Sequence, residues 1–316
     1  MLQPARPSRP FMNFEVVLDP GRWQADVAVI GVAHSEPYAG DEQPNDQSLA
    51  PEAIRAASGL FGYGDGAHHD FDLGTELASV LPGRCIDCGN LGRGDEPYEA
   101  YAARVTDALS TLWGCGAQVF VLGGDHGVTI PALDALERLG RPVYIVHVDA
   151  HLDWRVEVGG VRRGYSSPLY WASTKRCVVG MTQLGLRGTG SARRAEVEAA
   201  RAYGSRLFTA AEVHAEGIGR VLESIPADVP LYITIDADGL DPAAMPGVMA
   251  PAPGGLTFAQ VAPLLATLAR RQPVVGMDVV EIAPRYDASN GITCITAGRL
   301  ILTVLGHSAA ARTRRR

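Results

Sequence analysis

Acidic and imidazole side chains alternate in three short segments of this sequence. The segments are Gly-Gly-Asp-His at 123–126, Asp-Ala-His-Leu-Asp at 149–153 and Asp-Ala-Asp-Gly-Leu-Asp-Pro at 236–242. In an extended backbone every second side chain points to the same face, so the acidic and imidazole groups of one segment can converge. The segments therefore predict a site for two metal ions. The candidate ligands are His126, Asp149, His151, Asp153, Asp236 and Asp238.

Each segment directly follows an apolar run that is rich in β-branched residues. The runs are residues 117–122, 143–148 and 231–235. Continuous apolar runs of this length indicate buried strands of a parallel sheet. Ligands of open α/β sheets bind at the carboxyl ends of the strands, which is where these side chains lie.

A simpler interpretation exists for each acidic pair taken alone. Aspartate after a strand often forms a turn or caps a helix by bonding its own backbone. Asp125 can brace the loop beside His126, and Asp241 with Pro242 suits a turn, so neither is assigned to a metal. Three coinciding strand ends favour the metal site. Carboxylates with imidazoles and no thiolate suit a hard or borderline ion such as manganese.

The three segments resemble, in order, the signatures of the ureohydrolase superfamily of arginases and agmatinases. Residues 276–284 resemble a fourth block, the substrate-facing glutamate segment, which contains Glu281. The resemblance runs from about residue 25 to the C-terminal helix and implies an arginase-like fold, a three-layer α/β/α architecture with a central, mainly parallel sheet. It implies that Asp149 and Asp236 bridge two manganese ions. The resemblance gives His126 and Asp153 to one ion, and His151 and Asp238 to the other.

The resemblance also implies hydrolysis of a guanidino compound to urea and an amine. The guanidinium carbon is a poor electrophile, so a hydroxide that bridges two dications is needed as the attacking nucleophile. Asp153 and Glu281 are the predicted catalytic residues. Glu281 follows the apolar run 273–280 and can pair bidentately with a guanidinium. The alternative for Glu281 is an ordinary salt bridge at a strand end.

Two positions depart from the family pattern. Residues 162–168 lack the histidine that many agmatinases use as a proton shuttle, and Gly127 stands where serine is common. Protonation of the departing amine would then need Asp153, Tyr165, a serine, a chain of waters or an imported histidine. His34 follows the apolar run 27–32 and is the candidate for that imported shuttle, although most lone histidines are structural or exposed.

The segment after Asp153 bears on the substrate. Arg155, Arg163, Tyr165 and Ser166 are predicted to bind substrate together with Glu281, and Arg162 lies in the same stretch. Agmatine is the expected substrate. A guanidino acid such as 4-guanidinobutyrate is the alternative, because arginines would repel agmatine's ammonium group and hold a carboxylate. The arginines can also face solvent or pair with Glu157. A third possibility is a catalytically silent homologue that supports a partner subunit.

The chain has 316 residues, 47% of them hydrophobic, and no repeat or linker divides it. Strands that alternate with amphipathic helices predict one α/β domain at 25–310, between an N-terminal extension at 1–24 and a basic tail at 311–316. The predicted helices are 98–113, 131–139, 192–203, 257–269 and 297–305.

Charge and targeting signals exclude several classes of partner. The net charge of −7 argues against nucleic acid. We find no signal peptide and no apolar run near the roughly 18 residues of a membrane helix, so we expect a cytoplasmic protein with a small-molecule substrate. The five cysteines include an isolated Cys85-x-x-Cys88, expected to be reduced, whose role is open. The resemblance suggests a homo-oligomer, a trimer or hexamer.

Overall fold

The centre of the protein is a nine-stranded sheet in which all paired strands run parallel. The computed structural model describes residues 3–41, 45–62, 67–81, 83–190 and 192–315, with side chains up to residue 309. The strand order is β1-β5-β2-β6-β11-β10-β7-β8-β9, and β3 and β4 form a small antiparallel pair. The strands are β1 (Glu15–Val16), β2 (Val27–Ala33), β3 (His69–Asp70), β4 (Thr75–Glu76), β5 (Cys85–Gly92), β6 (Gln118–Leu122), β7 (Val143–Val148), β8 (Val178–Leu186), β9 (Arg206–Thr209), β10 (Leu231–Asp236) and β11 (Val274–Val280).

Helices cover both faces of this sheet, which gives the three-layer α/β/α architecture expected from the sequence. Helices α1, α2 and α7 to α10 pack on one face and α3 to α6 on the other. The helices are α1 (Ala50–Ser58), α2 (Leu77–Val80), α3 (Tyr98–Gly114), α4 (Thr129–Leu139), α5 (Pro168–Ser173), α6 (Arg194–Tyr203), α7 (Ala210–Glu216), α8 (Gly219–Ser224), α9 (Phe258–Arg271) and α10 (Ile292–Arg315).

Strand β6 shows why the predicted strands are apolar at every position. Phe120 and Leu122 pack into the core on one face of the sheet, while Val119 and Val121 pack into the core on the other. A strand that is covered on both faces cannot alternate apolar and polar residues, because every side chain enters a core.

Four neighbouring central strands, β6, β11, β10 and β7, end at the same level. Leu122 pairs with Val279, Val280 with Asp236, and Ile235 with Val148. The residues that follow these four strands therefore emerge side by side at the carboxyl edge of the sheet.

The predicted N-terminal extension packs against the sheet in its described part, residues 3–24. Strand β1 pairs with β5 at the edge of the sheet, and Ala5 bridges to Asn90. Phe11 and Trp23 are fully buried. Burial of these two aromatic rings fixes the segment to the domain, a contact that no local sequence pattern announces.

The C-terminal helix α10 runs through Arg315, so the predicted tail continues this helix as far as the structure describes it. Its window 292–309 has a mean hydropathy of 1.3 and is long and apolar enough to cross a membrane by length and composition alone. The window departs from the expectation that no apolar run approaches the length of a membrane helix. Of these residues 78% are buried inside the protein, as in a core helix.

Candidate metal centre

All six predicted ligands lie at the ends of three of these four neighbouring strands. His126 follows β6 in a short 3-10 helix, whereas Asp149, His151 and Asp153 follow β7. The others are Asp236, the last residue of β10, and Asp238 in the turn after it. Gly239 permits this close approach of strand ends, because a Cβ there would lie 2.6 Å from the backbone nitrogen of Asp149.

The first cluster surrounds the imidazole of His126. Its Nδ1 lies 2.9 Å from Asp153 Oδ2, 3.3 Å from Asp236 Oδ2 and 3.4 Å from Asp149 Oδ2. This buried nitrogen has no hydrogen-bond partner among the described residues. Its Nε2 is engaged by Thr234 Oγ1 at 2.9 Å. Ligand atoms of an octahedral ion, each about 2.1 Å from it, are themselves about 3 Å apart. The cluster therefore fits a divalent cation at its centre.

The second cluster surrounds His151. Its Nδ1 lies 3.1 Å from Asp238 Oδ2 and 3.4 Å from Asp149 Oδ1. Asp149 thus presents one carboxylate oxygen to each imidazole, which suits a bridging ligand. Asp236 presents Oδ2 to the first cluster, and its Oδ1 accepts a hydrogen bond from the backbone of Asp238 at 2.9 Å. Bridging by Asp236 stays a prediction.

The clusters concentrate negative charge in a buried volume. Burial raises the pKa of Asp236 well above its usual range, and the carboxylates of Asp238 and Asp149 add to the effect. Burial opposes protonation of His151, but its bonds to Asp149 and Asp238 outweigh this and raise its pKa to about 12. Like charges at this distance repel one another, so a bound cation would stabilise the arrangement.

Backbone strain marks two residues of the site. Asp153 and Glu281 have φ angles of 51° and 62°, in the left-handed region that residues other than glycine rarely adopt. Such conformations cost roughly 1–3 kcal/mol each and persist where the surroundings enforce them. Both side chains line the same cavity.

Glu281 is held at the floor of that cavity by two donors. The backbone nitrogen of His126 donates to its Oε1 at 2.6 Å, and Gln47 Nε2 donates to its Oε2 at 2.8 Å. Burial raises the pKa of Glu281 to about 8, and the carboxylate of Asp125 adds to this shift. Sequence reasoning missed Gln47, which lies in a polar segment with no distinguishing pattern.

The cavity has a volume of about 580 Å³ and extends from the ligand clusters to the surface. Arg155, Tyr165 and Ser166 line it, as the sequence analysis expected of substrate-binding residues. Arg155 donates to Glu196 Oε1 and to the carbonyl of Gly190, both at 3.1 Å. Tyr165 donates to Asp41 Oδ2 at 2.9 Å.

Arg163 and Arg162 lie outside this cavity, which contradicts the expected role of Arg163 in substrate binding. Arg163 donates to Asp134 Oδ2 at 2.5 Å and stacks on the ring of Trp171. Both arginines line a second cavity of about 570 Å³. Spacing along the sequence did not reveal that residues 160–164, which follow Gly159, line this second cavity and not the one beside the candidate ligands. Arg193 lines the first cavity instead, from the start of a predicted helix to which no functional role had been assigned.

His34 also lines the second cavity, so its position does not suit the expected proton shuttle. It is 5% exposed, and its ring packs against Tyr98 and Tyr101 with centroids 5.5 and 5.1 Å away. Its carbonyl accepts a hydrogen bond from the backbone of Asp125 at 2.9 Å. His34 therefore supports the loop that carries His126.

Asp125 and Gly127 shape that loop without entering the clusters. Asp125 accepts bonds from the backbone nitrogens of Gly127 and Glu36, at 3.0 and 2.8 Å. A Cβ on Gly127 would lie 3.0 Å from Asp125 Oδ1 and 3.3 Å from the carbonyl of Arg163. The backbone near Arg163 therefore leaves little room for a side chain at this position.

Two residues behind the clusters were also missed, the buried His147 and the half-buried Arg187. His147 Nε2 lies 2.8 Å from Asp149 Oδ2. Arg187 braces the turn of the second cluster, because it donates to the carbonyls of Asp238, Leu240 and Ala252. His147 is recognisable only as a polar residue within an apolar run.

Several known proteins align with most of this chain in sequence, in structure or in both. The chain is 34% identical over 287 residues to proclavaminate amidinohydrolase of Streptomyces clavuligerus, covering 88% of this chain and 87% of the relative. It is 33% identical over 264 residues to agmatinase of Chromobacterium violaceum, covering 81% and 76%. The solved structure of the Streptomyces clavuligerus proclavaminate enzyme superposes with a TM-score of 0.81 at 30% identity, covering 96% of this chain and 97% of the other. A sequence model of the arginase family matches residues 25–306, which include every strand end that carries a ligand, and the chain therefore belongs to the arginase family.

Proposed function

We propose that the protein is a metal-dependent amidinohydrolase that converts a guanidino compound and water to urea and an amine. The observation that carries this proposal is the orphaned Nδ1 of His126, which faces three carboxylate oxygens while Asp149 offers its other oxygen to His151. Family membership agrees with hydrolytic chemistry at such a site.

Two divalent ions, of which manganese suits the oxygen and imidazole donors, would occupy the two clusters. Their chemistry when bound is to lower the pKa of water and to polarise the guanidinium. The proposed holders of the first ion are His126, Asp149, Asp153 and Asp236, and those of the second are Asp149, His151, Asp236 and Asp238.

Glu281 is proposed to bind and orient the guanidinium. Its carboxylate is fixed by the backbone of His126 and by Gln47, and each oxygen retains a lone pair for a planar, two-pronged donor. A guanidinium held there lies beside Asp153, whose side chain lines the same cavity.

Asp153 is the proposed carrier of the proton that the departing amine requires. Asp153 Oδ2 lies 2.9 Å from His126 Nδ1, and its side chain lines the cavity beside the proposed position of the guanidinium. His34 lines the other cavity, and Tyr165 already donates its hydroxyl proton to Asp41. Of these three candidates, Asp153 is therefore the one that lies within the first cluster.

Agmatine is the proposed substrate, and a guanidino acid is the second candidate. Glu157 and Arg193 line the outer part of the cavity, are exposed, and have no charged partner among the described residues. Glu157 suits the ammonium group of agmatine. Arg193 suits a carboxylate, in place of the predicted Arg163. Relatives named agmatinase and proclavaminate amidinohydrolase support both possibilities.

Urea release from agmatine and 4-guanidinobutyrate, with and without Mn²⁺, tests the proposal. We expect manganese-dependent urea release. Glu157→Ala should weaken the use of agmatine, and the matched Arg193→Ala should weaken the use of the acid, each by up to about fivefold because both charges are exposed. Manganese binding without urea from any guanidino compound would contradict an enzyme and favour the silent homologue. Cytoplasmic location and a homo-oligomeric state stay predictions.

A further inference from the structure

A line of buried polar side chains leads to Asp149 from behind the first cluster. Ser205 Oγ donates to Gln183 Oε1 at 2.9 Å, Gln183 Nε2 lies 3.1 Å from His147 Nδ1, and His147 Nε2 lies 2.8 Å from Asp149 Oδ2. Gln183, His147 and Asp149 are completely buried. The line crosses from the start of β9 through β8 to β7, so it joins three strands to a single carboxylate.

The direction of these hydrogen bonds is fixed by a backbone carbonyl. Gln183 Nε2 also donates to the carbonyl oxygen of Leu152 at 2.9 Å. A carbonyl only accepts, so the amide nitrogen of Gln183 must face both Leu152 and His147. His147 Nδ1 is then the acceptor, and the ring carries its proton on Nε2. His147 consequently donates to Asp149.

His147 also lies close enough to His126, Asp149 and Asp153 to be a metal ligand itself. Ligation through Nε2 would move the ring proton to Nδ1, where it would meet the N–H of Gln183. Rotation of the Gln183 amide would relieve that contact but would place its oxygen against the carbonyl of Leu152. The hydrogen-bond network therefore opposes ligation.

We propose that His147, aligned by Gln183, is a positioning residue that orients the carboxylate of Asp149 between the two clusters. The inference rests on the proposed metal-dependent function. The backbone nitrogen of His151 donates to Asp149 Oδ1 at 2.6 Å, while His147 donates to Oδ2. One donor on each oxygen fixes the plane of the carboxylate, so that each oxygen faces one imidazole of the clusters.

The test compares Mn²⁺ dissociation constants, measured by equilibrium dialysis on the full chain, for four variants. His147→Gln keeps an amide donor near the position of Nε2, and His147→Leu removes it. Gln183→Leu removes the group that aligns the ring. Thr182→Val is the matched control, since Thr182 is equally buried on the same strand and bonds Tyr144 and Ser224 instead.

We expect His147→Leu and Gln183→Leu to weaken Mn²⁺ binding by about 10- to 100-fold, as for other partners of metal ligands, while His147→Gln and Thr182→Val retain affinity near the parent's. If His147→Gln binds as poorly as His147→Leu while Gln183→Leu binds normally, His147 is a ligand and the inference is wrong. Equal loss in Thr182→Val would also overturn it, because the effect would then reflect general destabilisation. Should His147→Leu fail to fold, Gln183→Leu and His147→Gln still show whether His147 is a positioning residue or a metal ligand.

The parent protein separates this inference from the proposed function. A parent that binds Mn²⁺ but releases no urea contradicts the function and leaves the positioning role to be judged by the dissociation constants. A parent that binds no Mn²⁺ overturns both.

Discussion

Two buried sets of charges in this protein are built on different principles. Arg55 and Asp87 form a completely buried ion pair, with Nε to Oδ2 at 2.8 Å and Nη2 to Oδ1 at 2.9 Å. The backbone nitrogens of Phe11 and Gly89 also donate to Asp87, at 2.8 and 2.9 Å. Each carboxylate oxygen thus has two donors. The pair joins α1, β5 and the N-terminal segment.

The two candidate ligand clusters combine several buried carboxylates with only two imidazoles at their centres. The Nδ1 of His126 has no hydrogen-bond partner among the described residues, and burial together with the neighbouring carboxylates raises the pKa of Asp236. A buried charge that is fully paired within the chain needs no further partner, whereas a set of like charges indicates a site for an added cation. The comparison separates a structural role from a functional one without any sequence motif.

Asp149→Asn should cause the largest effect. The substitution removes charge from the residue that presents one oxygen to each imidazole, so we expect loss of bound metal and of nearly all urea release. Metal content by mass spectrometry and a urea assay measure this. Asp87→Asn is the control for loss of a buried carboxylate, and its folded fraction should keep its metal. Two bound ions and full activity in Asp149→Asn would remove the basis of the assignment.

Removal of one buried carboxylate should change the stability of the metal-free protein in opposite directions at the two sites. Asp87→Asn leaves Arg55 without its counter-charge and should lower the free energy of unfolding by about 3–5 kcal/mol. Asp236→Asn relieves repulsion and should raise it. Guanidinium chloride unfolding with a chelator present measures both. Destabilisation by both substitutions would show that the clusters are paired internally, against our interpretation.

The pH dependence of stability should also reveal the buried carboxyl group of Glu281 beside the clusters. The pKa of Glu281 rises to about 8 from its ordinary value of 4.5, because of burial and then Asp125. A raised acid pKa favours folding below the ordinary value, and this contribution is lost as the pH rises through about 8. Metal-free Glu281→Gln should therefore gain stability relative to the parent between pH 5 and about pH 9. Denaturation midpoints across this range measure the difference, and a constant difference would contradict the raised pKa.

The same Glu281→Gln variant should keep its metal but bind guanidino substrates poorly, since an amide lacks the charge that pairs with the guanidinium. Metal content and KM, measured together, separate a substrate-binding role from ligation. Loss of metal with an unchanged KM would make Glu281 a ligand or a structural residue.

Arg163→Ala should have the smallest effect. Arg163 pairs with Asp134 and stacks on Trp171 in the second cavity, so the ratio of activities on agmatine and 4-guanidinobutyrate should stay unchanged. The loss of a cation–π contact and a partly buried ion pair should cost about 1 kcal/mol of stability. A clear change in that ratio would return Arg163 to the substrate site that the sequence analysis proposed.

The sequence alone identified the five apolar strands β2, β6, β7, β10 and β11, and it placed the six candidate ligands at the ends of three of them. Apolar runs are long enough to identify buried strands, and the alternation of side chains along extended backbone puts the acidic and imidazole groups together. Both signals are local, so a single sequence reveals them. Five helices, α3, α4, α6, α9 and α10, were located for the same reason. The ends of the first four lie within two residues of the prediction, although α10 proved considerably longer.

Only the tertiary structure decided which distant side chains complete the site. Gln47 and Glu281 are 234 positions apart, and Gln183 reaches His147 from another strand. After a turn at Gly159, Arg163 lines a different cavity from Arg155. His34, which packs against two tyrosines, also lines this second cavity. These outcomes depend on how packed elements approach one another, because hydrogen bonds and cavity walls form between residues that share no local pattern.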